Sequence, residues 1–333
     1  MERRICSIGV CDIGRCESLR AVPVSAPRPC CRTEFSSSHR NIKRLTLTLA
    51  VICSLCQVGF GGDIGDISVR ATNRSRPPAE IPFKAYQEYL IVIDGRIGSL
   101  EHQNLLLDTG SNPSMIDRNV SARLGLHGAS RALSLFNKSV ASQSVTLPDL
   151  QFGPMRRHNW PVMVADFSAI SHGLGIRIDA VIGLDVLGGS NFTVDYAKRR
   201  IIFGASVEHH TVPFSAGPQF ITVNLKSGGR QLHLLLDTGT PQLVLFENRL
   251  RGMDYQWTGA IGSGQNASGK IGFAAVVLPQ ARIGGFEVGP QRASVVTSQQ
   301  SIENDLDGLM GLACLRPRRI SFDFDRQLLG WSD

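Results

Sequence analysis

The sequence predicts an all-β protein built twice from one unit. The first observation is a hexapeptide, Leu-Leu-Leu-Asp-Thr-Gly, found at Leu105–Gly110 and again at Leu234–Gly239. The second is that other landmarks recur around both copies at matching offsets. The third is composition: 34 glycines, 19% charged residues and no long segment of helical period, as in turn-rich strand proteins.

The shared landmarks define the unit. Ile81-Pro82-Phe83 precedes the first hexapeptide and Val212-Pro213-Phe214 the second. Leu147-Pro148 with Phe152-Gly153 returns as Leu278-Pro279 with Ile283-Gly284, and Asp179-Ala180-Val181-Ile182-Gly183 returns as Asp307-Gly308-Leu309-Met310-Gly311. Beyond each terminal Gly lies another Asp in a strand-like run, Asp195 in one half and Asp323 in the other. Tyr89–Ile93 and Phe220–Val223 are β-branched or aromatic runs that lead through a Gly-containing turn into the leucines. Ile201-Ile202-Phe203 and Leu328-Leu329-Gly330-Trp331 close the halves, and a helix is predicted only near Ile116–Leu124. The expected organisation is a basic, Cys-rich leader over 1–43, a hydrophobic segment over 44–61 and a linker over 62–80. A first lobe over 81–204, a connector over 205–212 and a second lobe over 213–333 follow.

Charge and cysteine are concentrated in the leader. The formal net charge is +7, yet residues 1–62 hold nine Lys/Arg against four Asp/Glu, leaving the remainder nearly balanced. The basic pI thus belongs mostly to the leader and is poor evidence for nucleic-acid binding, so no nucleic-acid partner is expected. Seven of eight cysteines precede the globular part and only Cys314 lies within it. One thiol forms no intrachain disulfide, so the folded region must rest on its core, with Cys314 as a small buried hydrophobe. Arg40, Lys43 and Arg44 precede the apolar run 45–60, and Gly59, Gly61 and Gly62 close it. That order is the one of a secretory signal, with retention as a membrane anchor the alternative. The expected location is extracytoplasmic, secreted or periplasmic, and membrane contact is expected only through 45–60 if that run is uncleaved.

An Asp after three leucines is costly as a simple strand residue, because a lone buried carboxylate needs partners or a raised pKa. A Gly after the Thr lets the backbone turn and approach closely, and the Thr hydroxyl can bond backbone across an interface. A pseudo-twofold axis would bring Asp108 and Asp237 together between the halves. Carboxylates about 3 Å apart cannot both ionise, so the pair would share a proton.

These motifs resemble the aspartic peptidases, and more narrowly the retropepsin-like branch in duplicated form, over roughly residues 81–333. The resemblance implies two pseudo-twofold related β-barrel lobes with an active-site cleft between them. It implies that Asp108 and Asp237 are the catalytic pair of an endopeptidase. One would activate a water and the other would hydrogen-bond the scissile carbonyl. Thr109 and Thr238 would form an interlocking grip, with Gly110 and Gly239 permitting the turns. Val181, Ile182 and Gly183, and Leu309, Met310 and Gly311, would pack beneath the two loops. The substrate implied is a polypeptide bound extended, handled by a monomer with no cofactor or metal.

Ser111 and Thr240, next after each Gly, are expected to donate to the carboxylates and lower their pKa values, giving a mildly to strongly acidic optimum. No Tyr lies between Thr109 and Asp195 to cover the first-half site, which leaves Phe136 or Trp160 for that role. Residues 259–272 (GAIGSGQNASGKIG) read as a mobile flap, whereas the first-half counterpart LFNKSVASQS contains no glycine, so the halves are not expected to close alike. Asp179, Asp307, Asp195 and Asp323 read as turn or structural acids, and His209-His210 as a solvated pair in the connector. The competing reading from a different class is a catalytically inactive peptide-binding module on the same fold.

Overall fold

Each Leu-Leu-Leu run becomes the centre of a sheet because all three side chains have somewhere apolar to go. In the computed structural model, which describes residues 49–50, 78–135, 138–204, 208–217, 219–266, 269–296 and 305–333, strand Leu100–Leu107 lies parallel to Ala180–Ile182, with Leu105 opposite Ala180, Leu106 opposite Val181 and Leu107 opposite Ile182. Leu105 and Leu107 enter one apolar cluster while Leu106 enters another with Val181. A central strand buried on both faces reads as a continuous hydrophobic run. The second half repeats the scheme. Leu234, Leu235 and Leu236 lie parallel to Gly308, Leu309 and Met310, and Leu235 faces a cluster of its own with Leu309.

The equivalence extends outward. Met115 pairs antiparallel with Val181 and parallel with Met163. Val244 pairs antiparallel with Leu309 and parallel with Ser294. Each half also curls on itself. Strand Leu90–Ile97 bonds to Lys138–Phe152 in the first half, and Ile221–Ser227 bonds to Gly269–Ile283 in the second. The fold is thus mostly β with barrel-like sheets, and its few helices are short.

A six-stranded part of the larger sheet joins the halves in the order His210–Pro213, Leu328–Ser332, Arg319–Asp323, Phe192–Asp195, Arg200–Phe203 and Glu80–Tyr86. Its middle seam pairs Phe192 with Phe322, whose rings stack with centroids 4.8 Å apart. Asn191 Nδ2 donates to Asp325 Oδ2 across the same seam at 2.8 Å. The described residues all lie within one compact unit, Thr46–Asp333.

Several sequence expectations are corrected here. The connector expected over 205–212 gives way early, because His210–Pro213 is already a strand on the inter-half sheet. His210 is accordingly packed on Phe286 and Trp331 rather than solvated. The helix shortens to Arg118–Arg123, since Met115–Asp117 is held in a strand and Asp117 caps the helix by accepting from Asn119 N. The leader and most of the 45–60 run lie outside the described residues. Leu49–Ala50 form a two-residue strand parallel to Gly264–Gln265. Among the described residues no helix is long and apolar enough to cross a membrane.

Candidate active site

The two Asp-Thr-Gly loops meet where the halves touch. The loops leave their strands in the same way: Asp108 N donates to Ile182 O and Asp237 N to Met310 O, each at 3.0 Å. The strand carrying Val181 or Leu309 thereby fixes the Asp backbone, and all four of these apolar residues are buried. Gly183 and Gly311 sit so close under the loops that an added Cβ would come within 2.3 Å of Ser111 O or Thr240 O. No larger residue fits at either place.

The loops lock through their threonines. Thr109 Oγ1 accepts from Thr238 N at 3.1 Å and donates to Leu236 O at 2.7 Å. Thr238 Oγ1 accepts from Thr109 N at 3.0 Å and donates to Leu107 O at 2.9 Å. Four buried polar groups of the main chain are satisfied by two hydroxyls, each supplied by the opposite half.

Above this lock the carboxyls come together. A Cβ on Gly110 would lie 2.6 Å from Cγ of Asp237, and one on Gly239 would lie 2.5 Å from Cγ of Asp108. Each carboxyl therefore occupies the space a side chain on the opposite glycine would need. Gly110 N donates to Asp108 Oδ1 at 2.8 Å and Gly239 N to Asp237 Oδ1 at 2.7 Å. Oδ2 of each has no donor among the described residues other than a proton the pair can share. Both side chains are fully buried.

Burial sets their proton affinity. Desolvation, then the charge and hydrogen bond of Asp237, hold the Asp108 carboxyl well above the usual carboxylate range, against the pull of the Gly110 and Gly239 N–H groups. Desolvation also lifts Asp237 to about 6, opposed by hydrogen bonds from Asp108, Gly239 N and Thr240 N. Both directions are upward, so the resting pair holds a proton between its two members.

The hydroxyls of Ser111 and Thr240 do not supply the expected pull. Ser111 Oγ donates to Pro113 O at 3.3 Å, and Thr240 Oγ1 is buried without a partner among the described residues. Only the Thr240 backbone N–H reaches Asp237. The other acids are structural. Asp179 accepts from Asn104 N and Asp307 from His233 N, both at 2.8 Å, while Asp195 and Asp323 accept from Lys198 N and Arg326 N in turns. Burial pushes the Cys314 thiol up to about 12, which leaves it no nucleophile.

Sequence reasoning missed a third element of the site. Asp185 accepts from Ser114 N at 3.0 Å, from Ser114 Oγ at 2.6 Å and from Trp160 Nε1 at 2.9 Å. Ser114 Oγ in turn accepts from Gly183 N at 2.8 Å. Trp160 therefore braces the first loop from strand Met155–Ala165, outside the hairpin that would carry a flap. Phe136 lies outside the described residues. The available signal was an inequality between the halves, Leu184-Asp185 against Leu312-Ala313.

Hairpins flank both loops, Ala129–Leu135 with Lys138–Phe152 and Gln256–Asn266 with Gly269–Ile283. The first keeps one register throughout. The second slips between Trp257 and Ile261, next to Gly259 at φ 75°.

Paired Asp-Thr-Gly loops, locked by reciprocal threonines on a mostly β frame, are the arrangement that the resemblance to aspartic peptidases implies. Residues 93–186 match the family model described as aspartyl protease, a stretch that runs from before Asp108 past Gly183. A solved structure, the aspartic proteinase from Irpex lacteus, superposes with a TM-score of 0.48 at 13% identity, covering 76% of this chain and 96% of that one. No curated protein matches the chain.

Two outcomes test this geometry. Thr238→Val keeps the shape but strands Thr109 N and Leu107 O, and should cost ~2–5 kcal/mol in urea unfolding. A loss below about 0.5 kcal/mol would mean that the lock is not formed. The second concerns pH. Both carboxyls bind protons more tightly when folded, so stability falls as pH rises from the unfolded value of 3.8 through about 6. Asp108→Asn should therefore gain on the parent chain by roughly 1–3 kcal/mol between about pH 4 and about pH 7. Parallel stability curves would contradict the raised values.

Proposed function

We propose that the chain is an aspartic endopeptidase that cleaves peptide bonds with a water activated by Asp108 and Asp237. The observation that carries this reading is the pair of buried carboxyls, 129 positions apart in the chain, each lying beside the opposite loop's glycine with one oxygen lacking a partner among the described residues. The ionised member of the pair takes a proton from water as the water oxygen attacks the scissile carbonyl carbon. The protonated member passes its proton to the carbonyl oxygen, so the tetrahedral gem-diol is neutral and the pair's single negative charge moves to the member that gave the proton. The member that took the water's proton then passes it to the amide nitrogen while the other recovers one from a gem-diol hydroxyl, so the C–N bond breaks, the amine leaves and the carboxylic acid forms with the pair back in its starting state.

Substrate is proposed to lie extended along the hairpins. Trp257 and Ile261 stand exposed there and offer apolar contact to its side chains. The chain is proposed to act as a monomer outside the cytoplasm. The basic residues ahead of the 45–60 run support this reading, and the sequenced N-terminus of the secreted protein should begin after that run. A mature protein still starting at Met1 would oppose it.

Asp108→Asn and Asp237→Asn should each lower kcat by at least ~10³ with circular dichroism unchanged. The pH profile of kcat/KM should have its acidic limb near 6, because activity requires the loss of one proton from the pair. Full activity in either variant would overturn the dyad. Peptide binding by the parent chain without any turnover would favour the inactive binding module.

A further inference from the structure

The sheet registers make Ser114 equivalent to Leu243, since Met115 and Val244 occupy the same place in each half. By the same registers Met163 corresponds to Ser294, hence Trp160 to Gln291. Counting from Gly183 and Gly311, Asp185 corresponds to Ala313. All three members of the Ser114–Asp185–Trp160 brace are therefore replaced in the second half. Gln291 cannot stand in for the indole, because its amide turns back to Val288 O and Cys314 O.

What the replacements leave is space. A cavity of about 590 Å³ is lined by Leu243, Gln291 and Ala313, the same three positions. Gln242, three residues beyond Gly239 of the second loop, forms part of its wall. Tyr89 of the first half closes the far side, held rigid by a hydrogen bond from Tyr196 OH to its carbonyl at 2.9 Å and by ring contact at 5.2 Å. Arg292 and Arg316 line the cavity too and are exposed. Among the described residues neither guanidinium has an ion-pair partner, and Glu88 is the single carboxylate on the wall.

We propose that this cavity is a substrate pocket for a carboxylate-bearing side chain, an Asp or Glu remote from the scissile bond. The proposal rests on the peptidase reading and adds direction to it. A nearly symmetric dyad can receive an extended peptide either way round. A pocket on the second-half side, lined by the positions where the Ser114–Asp185–Trp160 brace has no counterpart, breaks that degeneracy. Two exposed guanidinium groups on its wall supply charge-assisted donors, the kind a carboxylate accepts most strongly.

Cleavage of a random peptide library, read by mass spectrometry, should show Asp or Glu enriched at one fixed position on one side of the cut. Labelled Glu and Gln versions of a cleaved peptide, titrated against Asp108→Asn by fluorescence anisotropy, should differ about tenfold in Kd. Arg292→Ala with Arg316→Ala should bring that ratio to about one, and so should filling the cavity with Ala313→Asp and Gln291→Trp. Arg131→Ala, on the first-half hairpin, should keep it. Binding with no Glu preference, or a preference that survives loss of both arginines, overturns the pocket alone. If no peptide is cleaved and none binds, the peptidase reading fails and the pocket with it.

Discussion

Everything at the centre of this fold depends on two threonine hydroxyls exchanged between halves. Each accepts the N–H of the other threonine and donates to a leucine carbonyl on the far side. Without that exchange, four main-chain groups would be buried unpaired at the one place where two carboxyls are also buried. The lock sets the separation of the halves, and the separation sets how strongly the carboxyls disturb each other. Chemistry and folding are therefore bound to the same four hydrogen bonds.

The structure spends stability at this point. Burying Asp108 and Asp237 raises both above the carboxylate range, and a raised acid is destabilising once the solution would have it ionised. The N–H groups of Gly110 and Gly239 offset part of the cost. Much of the rest is carried by the apolar clusters on either side of each Leu-Leu-Leu strand, consistent with a folded region whose one cysteine is unpaired.

The halves are equal in backbone and unequal in side chains. Sheet registers repeat from the central strands out to the hairpins, so the two loops are presented alike. Around the first loop a Ser–Asp–Trp network fills the space, with Arg157 5.3 Å above the Trp160 ring. Around the second, Leu243, Ala313 and a diverted Gln291 leave it open. Symmetry serves the dyad, where two equivalent acids are needed. On the proposed function the asymmetry would serve recognition, because a peptide has a direction.

Much of this was legible in the chain. The hexapeptide, the Val181-Ile182-Gly183 and Leu309-Met310-Gly311 partners and the strand-rich pattern all follow from local spacing, because a twofold arrangement repeats its residues in order. The helix boundary, the end of the connector and the packing of His210 did not follow, since strand pairing with distant segments overrode local preference. The hydroxyls of Ser111 and Thr240 were misread because adjacency in sequence says nothing about which way a side chain turns. Sequence by itself determined which residues repeat and thus which acids could pair. Only tertiary structure decided that they share one buried site and that the pair holds its proton more tightly than a free carboxyl would, because burial and dielectric are properties of the packed whole.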